Sequence, residues 1–171
     1  TAQAGAAALE YKGSPKGLAL TRQNVPVLEG TKEKAAEGVR RGAYVLVEGS
    51  KETPDVILMG TGSEVQLAVE AAATRAGEGV AARVVSVPCM EWFREQDADY
   101  IESVLPAAVT ARVSVEAGIA MPWHRFTGTA GRNVSLEHFG ASAPYQKLFE
   151  EFGITADAVV AAAHDTINAS K

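Results

Sequence analysis

Residues 55–69 read DVILMGTGSEVQLAV, and this stretch decides the fold class. Its apolar run, VILM, is short and does not alternate with polar residues, which is typical of a strand buried on both faces of a parallel sheet. Gly60 and Gly62 then interrupt the strand, because glycine tolerates the positive φ of a tight turn. Ser63, with Gln66 three residues later, predicts a capping box at a helix start. Strand, glycine turn and helix in this order predict an α/β layer fold.

Other parts of the chain repeat these patterns. Further predicted strands are residues 17–21, 43–47, 82–87, 111–116 and 133–137. Predicted helices are residues 1–12, 63–76 and 97–105, one that begins at Pro144 and one that Thr155 caps. A loop as short as 48–55 predicts that strand 43–47 is an antiparallel neighbour of the strand in residues 56–59. The longer crossover to 82–87 predicts a parallel, right-handed connection. Residues 117–132 are predicted as one long loop.

Composition limits the classes of function. The chain has 171 residues, 47 % of them hydrophobic, and a net charge of −5. A negative balance argues against nucleic acid as a partner, because phosphate backbones bind basic faces. The single cysteine, Cys89, cannot form an internal disulfide and suggests a reducing compartment. No apolar run approaches the ~20 residues of a membrane span and no signal peptide is evident, so we expect no membrane partner and a cytoplasmic protein.

The turn from Gly60 to Ser63 could bind an anion through backbone N–H groups at a helix start. It lacks the third glycine and the distal acid of a dinucleotide fingerprint, and it has no lysine of a phosphate loop. The interpretation favoured by the residues is a simple strand-to-helix turn.

Five other side chains that often carry chemistry stand in less informative contexts. The histidines, His124, His138 and His164, are too scattered for a zinc site, and a structural role is favoured for each. Cys89 follows a strand without an identifiable histidine partner, so a buried, inert thiol is favoured over a nucleophile. Glu116 ends an apolar strand and could be a general base or a cap of the following loop, with the structural role favoured.

Arg22 differs because its guanidinium group can bind a phosphate monoester through two parallel hydrogen bonds. It lies in an Arg-Gln-Asn cluster at the end of a predicted strand, outside the main domain. Taken alone, it would be assigned as an ordinary surface arginine.

Several stretches, in order, resemble the C-terminal part of transketolases of the bacterial type. The matching stretches are residues 18–26 (LALTRQNVP), 60–65 (GTGSEV), 84–88 (VVSVP), 95–97 (EQD), 103–106 (SVLP), 115–118 (VEAG), 138–144 (HFGASAP) and 148–153 (LFEEFG). The resemblance covers essentially the whole chain. It implies an α/β fold with three layers, in which a mixed five-stranded sheet has four parallel strands and one antiparallel strand, with helices on both faces. It also implies three parts: the tail of a pyrimidine-binding domain (residues 1–28), a linker (29–42) and the C-terminal domain (43–171).

The resemblance further implies the transfer of a two-carbon ketol unit from a ketose phosphate to an aldose phosphate, as in the pentose phosphate pathway. The full-length enzyme would use thiamine diphosphate and Mg²⁺ and act as a homodimer on sugar phosphates. Arg22 matches the family arginine that binds the sugar phosphate. The family's catalytic and cofactor-binding motifs are not found in this sequence. We therefore expect no catalytic residue, no cofactor site and no activity in this chain alone, and a structural or regulatory role for its domain.

Two alternatives remain at this point. One is a free-standing α/β module that binds an anion or nucleotide at the turn from Gly60 to Ser63. The other is the last domain of a different thiamine diphosphate enzyme, such as a deoxyxylulose phosphate synthase or a 2-oxo acid dehydrogenase subunit. The stretches 138–140 and 148–153 favour transketolase over the latter.

Overall fold

A computed structural model describes residues 1–170, which form one mixed sheet between two layers of helices. The strands are β1 (Tyr44–Val47), β2 (Val56–Gly60), β3 (Ala82–Ser86), β4 (Arg112–Val115) and β5 (Arg132–Val134). The helices are α1 (Ala2–Glu10), α2 (Thr31–Arg40), α3 (Val65–Gly77), α4 (Met90–Arg94), α5 (Ala98–Val104), α6 (His124–Thr127), α7 (Tyr145–Glu151) and α8 (Ala156–Ala169). The strand order is β1-β3-β2-β4-β5, with β1 antiparallel to β3 and the other pairs parallel. The expected five-stranded mixed sheet is thereby confirmed.

The central strand β2 divides its side chains between two cores, because successive residues of a strand point to opposite faces. Val56 and Leu58 lie in the core beneath α3 and α8. Ile57 and Met59 lie in the core on the other face. This second core also contains buried aromatic side chains from α4 and from the segment around α6. All four are fully buried, and each contributes about 1.5–3 kcal/mol of burial free energy. The apolar run of residues 56–59 is thus the centre of the sheet.

The predicted pairing of β1 with β2 is wrong, although β1 is indeed the antiparallel strand. β3 lies between β1 and β2, and β1 is an edge strand paired only with β3. The connection 48–55 passes over the start of β3, where Asp55 N–H donates to the carbonyl of Ala81 at 2.7 Å. Eight residues can span up to ~26 Å, whereas two strand spacings are only ~10 Å. A short loop is therefore long enough to pass over one strand.

Of three helix starts predicted from local sequence signals, two are confirmed and one is wrong. Thr155 caps α8 as predicted, because its hydroxyl accepts from the N–H of Ala158 at 3.1 Å. Helix α7 begins directly after Pro144, also as predicted. The capping box of Ser63 and Gln66 is wrong, because residues Gly62–Glu64 form a short 3-10 helix before α3 and the Ser63 hydroxyl donates to Glu64.

Three further segments differ from the sequence prediction. Residues 17–21 form no strand, since no strand of the described chain lies beside them to complete a ladder. Residues 29–42, predicted as a linker, contain the helix α2, whose Ala35 and Gly38 are buried. The predicted loop 117–132 contains a short 3-10 helix (Met121–Trp123) and α6, which bury Trp123 and Phe126. Within residues 1–170, every helix is too short or too polar to cross a membrane.

Candidate functional site

The carboxyl edge of the sheet contains a crevice between β2 and β4. The chain leaves β2 towards β3 on one side and returns to β4 on the other side. Open parallel sheets bind ligands at such a switch point, outside the carboxyl ends of the strands. The turn 60–64 follows β2 there, and residues 116–118 follow β4. This crevice is therefore a candidate ligand-binding site.

Two carboxylates and an indole occupy this crevice. Glu64 is buried, and its carboxylate accepts from the Ser63 hydroxyl at 2.5 Å and from the N–H of Ala117 at 3.4 Å. Glu116 accepts from the indole N–H of the buried Trp123 at 2.6 Å. Burial raises the pKa of Glu64 above its ordinary value despite these hydrogen bonds, and the negative charge of Glu116 raises it further. Two acidic side chains of the chain itself thus lie in the crevice.

The arrangement opposes an anion site at the start of α3. Gly62 does adopt a positive φ of 56°, as the turn requires. However, an anion approaching this turn would meet Glu64 and Glu116, and like charges at short range repel. Glu116 anchors the loop that contains Trp123, which is the structural role favoured from the sequence.

Replacing Glu64 with glutamine is expected to raise the free energy of unfolding at about pH 8 and to change it much less at about pH 4. The pKa of Glu64 in the folded chain lies above the ordinary value of 4.5, so the folded state holds its proton longer than the unfolded state does. Stability therefore falls as pH rises through this window, and glutamine, which stays neutral, avoids the loss. Denaturant unfolding at both pH values measures the difference.

Glu70, exposed on α3, provides the matched control, and Glu70→Gln should show no such pH dependence. An equal effect of Glu64→Gln at both pH values would mean that the ionisation of Glu64 does not govern the stability of the crevice.

The histidines and the cysteine lie apart from one another. His124 begins α6, His138 packs edge-on against Phe152 with ring centroids 4.9 Å apart, and His164 is exposed on α8. Across residues 1–170, no cluster of three or more His, Cys, Asp or Glu side chains could hold a metal ion. Cys89 is half-buried near Glu91, and burial raises the pKa of its thiol, which disfavours the nucleophilic thiolate.

A second site is the cleft between residues 20–23 and 141–148, which we call the Arg22 cleft. It is an open space of about 740 Å³, within the range of small-molecule sites. The hydroxyl of Thr21 donates to the side chain of Gln23, which supports the turn that exposes Arg22. Its remaining lining residues are Leu20, Ala141, Ser142, Ala143, Tyr145 and Leu148.

The charges of this cleft fit an anion. Arg22 is the only charged residue among those that line it, although the whole chain has a net charge of −5. No carboxylate of the described chain forms an ion pair with Arg22.

Sequence reasoning identified Arg22 but missed the opposite wall, because contact between residues far apart in the chain leaves no local signal. It also missed Glu64, for which the only signal was an acidic residue directly after a strand-to-helix turn.

Comparison with known proteins places these features in one family. The family model described as "Transketolase-like TK C-terminal domain" matches residues 42–155. A transketolase of Mycobacterium leprae is 55 % identical over 90 % of this chain, and a chloroplastic transketolase of Solanum tuberosum is 50 % identical over 95 %. The structure of a transketolase from Leishmania mexicana matches 86 % of the chain with a TM-score of 0.77 and 39 % identity.

The chain spans about 22 % of the length of the two curated relatives and 20 % of the Leishmania chain. The match therefore concerns one portion of a longer enzyme. The sheet order, the mixed strand directions and the family model agree on which portion it is. The chain belongs to the transketolase family, and it carries the C-terminal domain of that enzyme.

Proposed function

We propose that this chain is the C-terminal portion of a transketolase that transfers a two-carbon ketol unit from a ketose phosphate to an aldose phosphate. Its contribution to that reaction is the binding of the substrate's phosphoryl group by Arg22. The observation that carries this role is the cleft in which Arg22 is the only charged lining residue. A guanidinium group can donate two parallel hydrogen bonds to a phosphate dianion, and loss of this charged group is expected to cost about 1.5–3 kcal/mol.

The cofactor chemistry belongs, in this proposal, to other parts of the full-length enzyme. Thiamine diphosphate with Mg²⁺ supplies the carbanion chemistry of ketol transfer in transketolases. The described residues offer no cluster of ligands for such a metal, so they do not fit the cofactor and we assign none of them to it. The full-length protein would be a cytoplasmic homodimer of the pentose phosphate pathway, and this chain alone would have no activity.

The proposed domain boundaries remain residues 1–28, 29–42 and 43–171. The family model begins at residue 42, which supports the second boundary. Helix α2, in the second part, is bound to the first part, because Arg40 donates to both carboxylate oxygens of Glu10 in α1 at 2.9 Å. The domain from residue 43 onward would then have a structural role, holding the segment with Arg22 in place, or a regulatory one.

Replacing Arg22 with alanine in the full-length enzyme is expected to lower kcat/KM about 10–100-fold for a phosphorylated ketose donor, which corresponds to one charged hydrogen-bonding group. A non-phosphorylated ketose donor should react with nearly unchanged kcat/KM, since it has no group for Arg22 to bind. Steady-state kinetics with both donors, thiamine diphosphate and Mg²⁺ provides the measurement.

Arg125, exposed on α6 and outside the cleft, gives the matched control Arg125→Ala, which should behave as wild type with both donors. An equal loss for both donors would show that Arg22 supports the fold rather than the phosphate. Absence of ketol transfer by the wild-type enzyme would reject the proposed function and return attention to a binding module.

A further inference from the structure

Another cavity with a single charged residue lies at the opposite edge of the sheet, and we call it the Arg112 cavity. Its volume is about 500 Å³, and its lining comes from residues between 107 and 112, from the turn 127–130 and from residues 169–170. It lies where β4 and β5 begin, whereas the crevice lies where β2 and β4 end. It shares no lining residue with the Arg22 cleft.

The charge of this cavity belongs to the half-buried guanidinium group of Arg112. Four of its five N–H groups donate to main-chain carbonyls, among them those of Val109 at 2.8 Å and Phe126 at 2.9 Å. The fifth, on Nη1, has no partner within residues 1–170. No carboxylate of these residues forms an ion pair with Arg112. A partly desolvated positive charge that only carbonyl dipoles offset favours an anion beside it.

The turn 127–130 supplies further donors next to this group. Both ends of the turn lie against Arg112, because Nη1 donates to the carbonyl of Phe126 and a Cβ atom on Gly131 would lie 2.8 Å from the Arg112 carbonyl oxygen. The backbone N–H groups of Thr129 and Ala130 have no partner within residues 1–170, and neither has the Thr129 hydroxyl. Free backbone N–H groups in a turn are common ligands of anions.

The rest of the lining limits the class of ligand. No lining residue is acidic, which disfavours a cation, and none is aromatic or a large aliphatic residue that could cover a nucleobase or an acyl chain. Thr110 adds a second hydroxyl without a partner in the described chain, directly after Val109, whose carbonyl accepts from Nε of Arg112. A guanidinium N–H, two hydroxyls and two backbone N–H groups fit an anion with several acceptor oxygens.

We propose that the Arg112 cavity binds a phosphate group, either as inorganic phosphate or as the phosphoryl group of a metabolite, between Arg112 and the turn 127–130. The bound anion joins the turn after α6 to the start of β4, and it stabilises the folded domain because the unfolded chain has no such site. This site is separate from the Arg22 cleft and does not depend on the proposed function.

The test follows the backbone amide resonances of the 171-residue chain by NMR during a titration with inorganic phosphate, with chloride keeping the ionic strength constant. The resonances of residues 129 and 130 should shift and reach a plateau. Thr129→Asp places a carboxylate beside Arg112 and should raise the dissociation constant at least about 10-fold, because like charges repel. Thr74→Asp, the same substitution at an exposed position of α3, is the matched control and should bind phosphate as wild type does.

Two other ligands define the class and the source of the anion. Acetate, with one charge and two oxygens, should bind more weakly than phosphate, and equal affinities would overturn the assignment to a phosphate group. Shifts with a ketose phosphate that equal those with inorganic phosphate would assign a phosphoryl group carried by a metabolite, whereas shifts with inorganic phosphate alone would assign the free ion.

The variant Arg22→Ala separates this site from the Arg22 cleft, since it should leave the phosphate-dependent shifts of residues 129 and 130 unchanged. Loss of these shifts in Arg22→Ala would assign the phosphate to the Arg22 cleft and overturn the proposal. The proposal also fails if the wild-type chain shows no saturable shift at residues 129 and 130, or if Thr129→Asp binds phosphate as tightly as wild type does.

Discussion

Replacing Gly42 with alanine is expected to lower the free energy of unfolding by about 3–5 kcal/mol, combining left-handed backbone strain with an overpacked contact. Gly42 has a φ of +83° and lies between α2 and β1. A Cβ atom there would lie only 2.3 Å from the carbonyl oxygen of Cys89 and 2.3 Å from the backbone nitrogen of Phe93. Both contacts are with backbone atoms, so no side chain can rotate away to relieve them. Denaturant unfolding of the chain, with the midpoint and slope both fitted, measures the loss.

Gly79 separates the two contributions. Its φ is +78°, nearly the same as that of Gly42, but no heavy atom lies within 4 Å of the position of its Cβ. Gly79→Ala should therefore show only the backbone strain of about 1–2 kcal/mol. The close approach of α4 to Gly42 would be refuted as a determinant of stability if both variants lost the same free energy.

Replacing Arg112 with methionine is expected to lower the free energy of unfolding by about 3–5 kcal/mol, because several carbonyl oxygens lose a charged donor at once. The guanidinium group donates to the carbonyls of Val109 at 2.8 Å and Phe126 at 2.9 Å. It also donates to those of Leu105 at 3.1 Å and Pro106 at 2.9 Å. Burial lowers the pKa of Arg112, and the negative charge of Glu102 offsets this only in part. The side chain therefore binds the end of α5 and the end of α6 to the start of β4.

The exposed Arg125 again serves as the control, and Arg125→Met should change the free energy of unfolding by less than about 0.5 kcal/mol. Arg112→Lys should lie between wild type and Arg112→Met, because one ammonium group lacks the planar fork that reaches carbonyls on several sides. A loss below about 1 kcal/mol for Arg112→Met would mean that water replaces the guanidinium group at these carbonyls without difficulty.

The sequence supports prediction best where the pattern depends on near neighbours. The strand in residues 56–59 and the cap at Thr155 were both correct, because a buried strand and an N-cap each depend on a few consecutive residues. The cap at Ser63 failed although its pattern was equally regular. Its hydroxyl is used by Glu64, which is buried in the crevice against residues that follow β4. Tertiary contact thus overrode a local signal.

The residues that line the Arg22 cleft show the same division. Arg22 could be selected from the sequence because the stretch around it resembles a known family motif. The other wall, residues 141–148, could not be placed in this cleft from the sequence, because nothing in that segment indicates that it lies beside residues 20–23. The sequence predicts a loop around Trp123, yet the burial of its indole and its hydrogen bond to Glu116 depend on the packing of α6 against the sheet.

The sequence by itself determined the α/β class, the five strands of the sheet and the family, because hydrophobic periodicity and ordered motifs are properties of the chain alone. Only the tertiary structure decided that β3 lies between β1 and β2, that two carboxylates meet at the crevice, and that residues 20–23 and 141–148 line one cleft. The physical reason is that burial, pairing and charge proximity are set by which distant segments come together when the chain packs. Such contacts have no fixed spacing in the sequence.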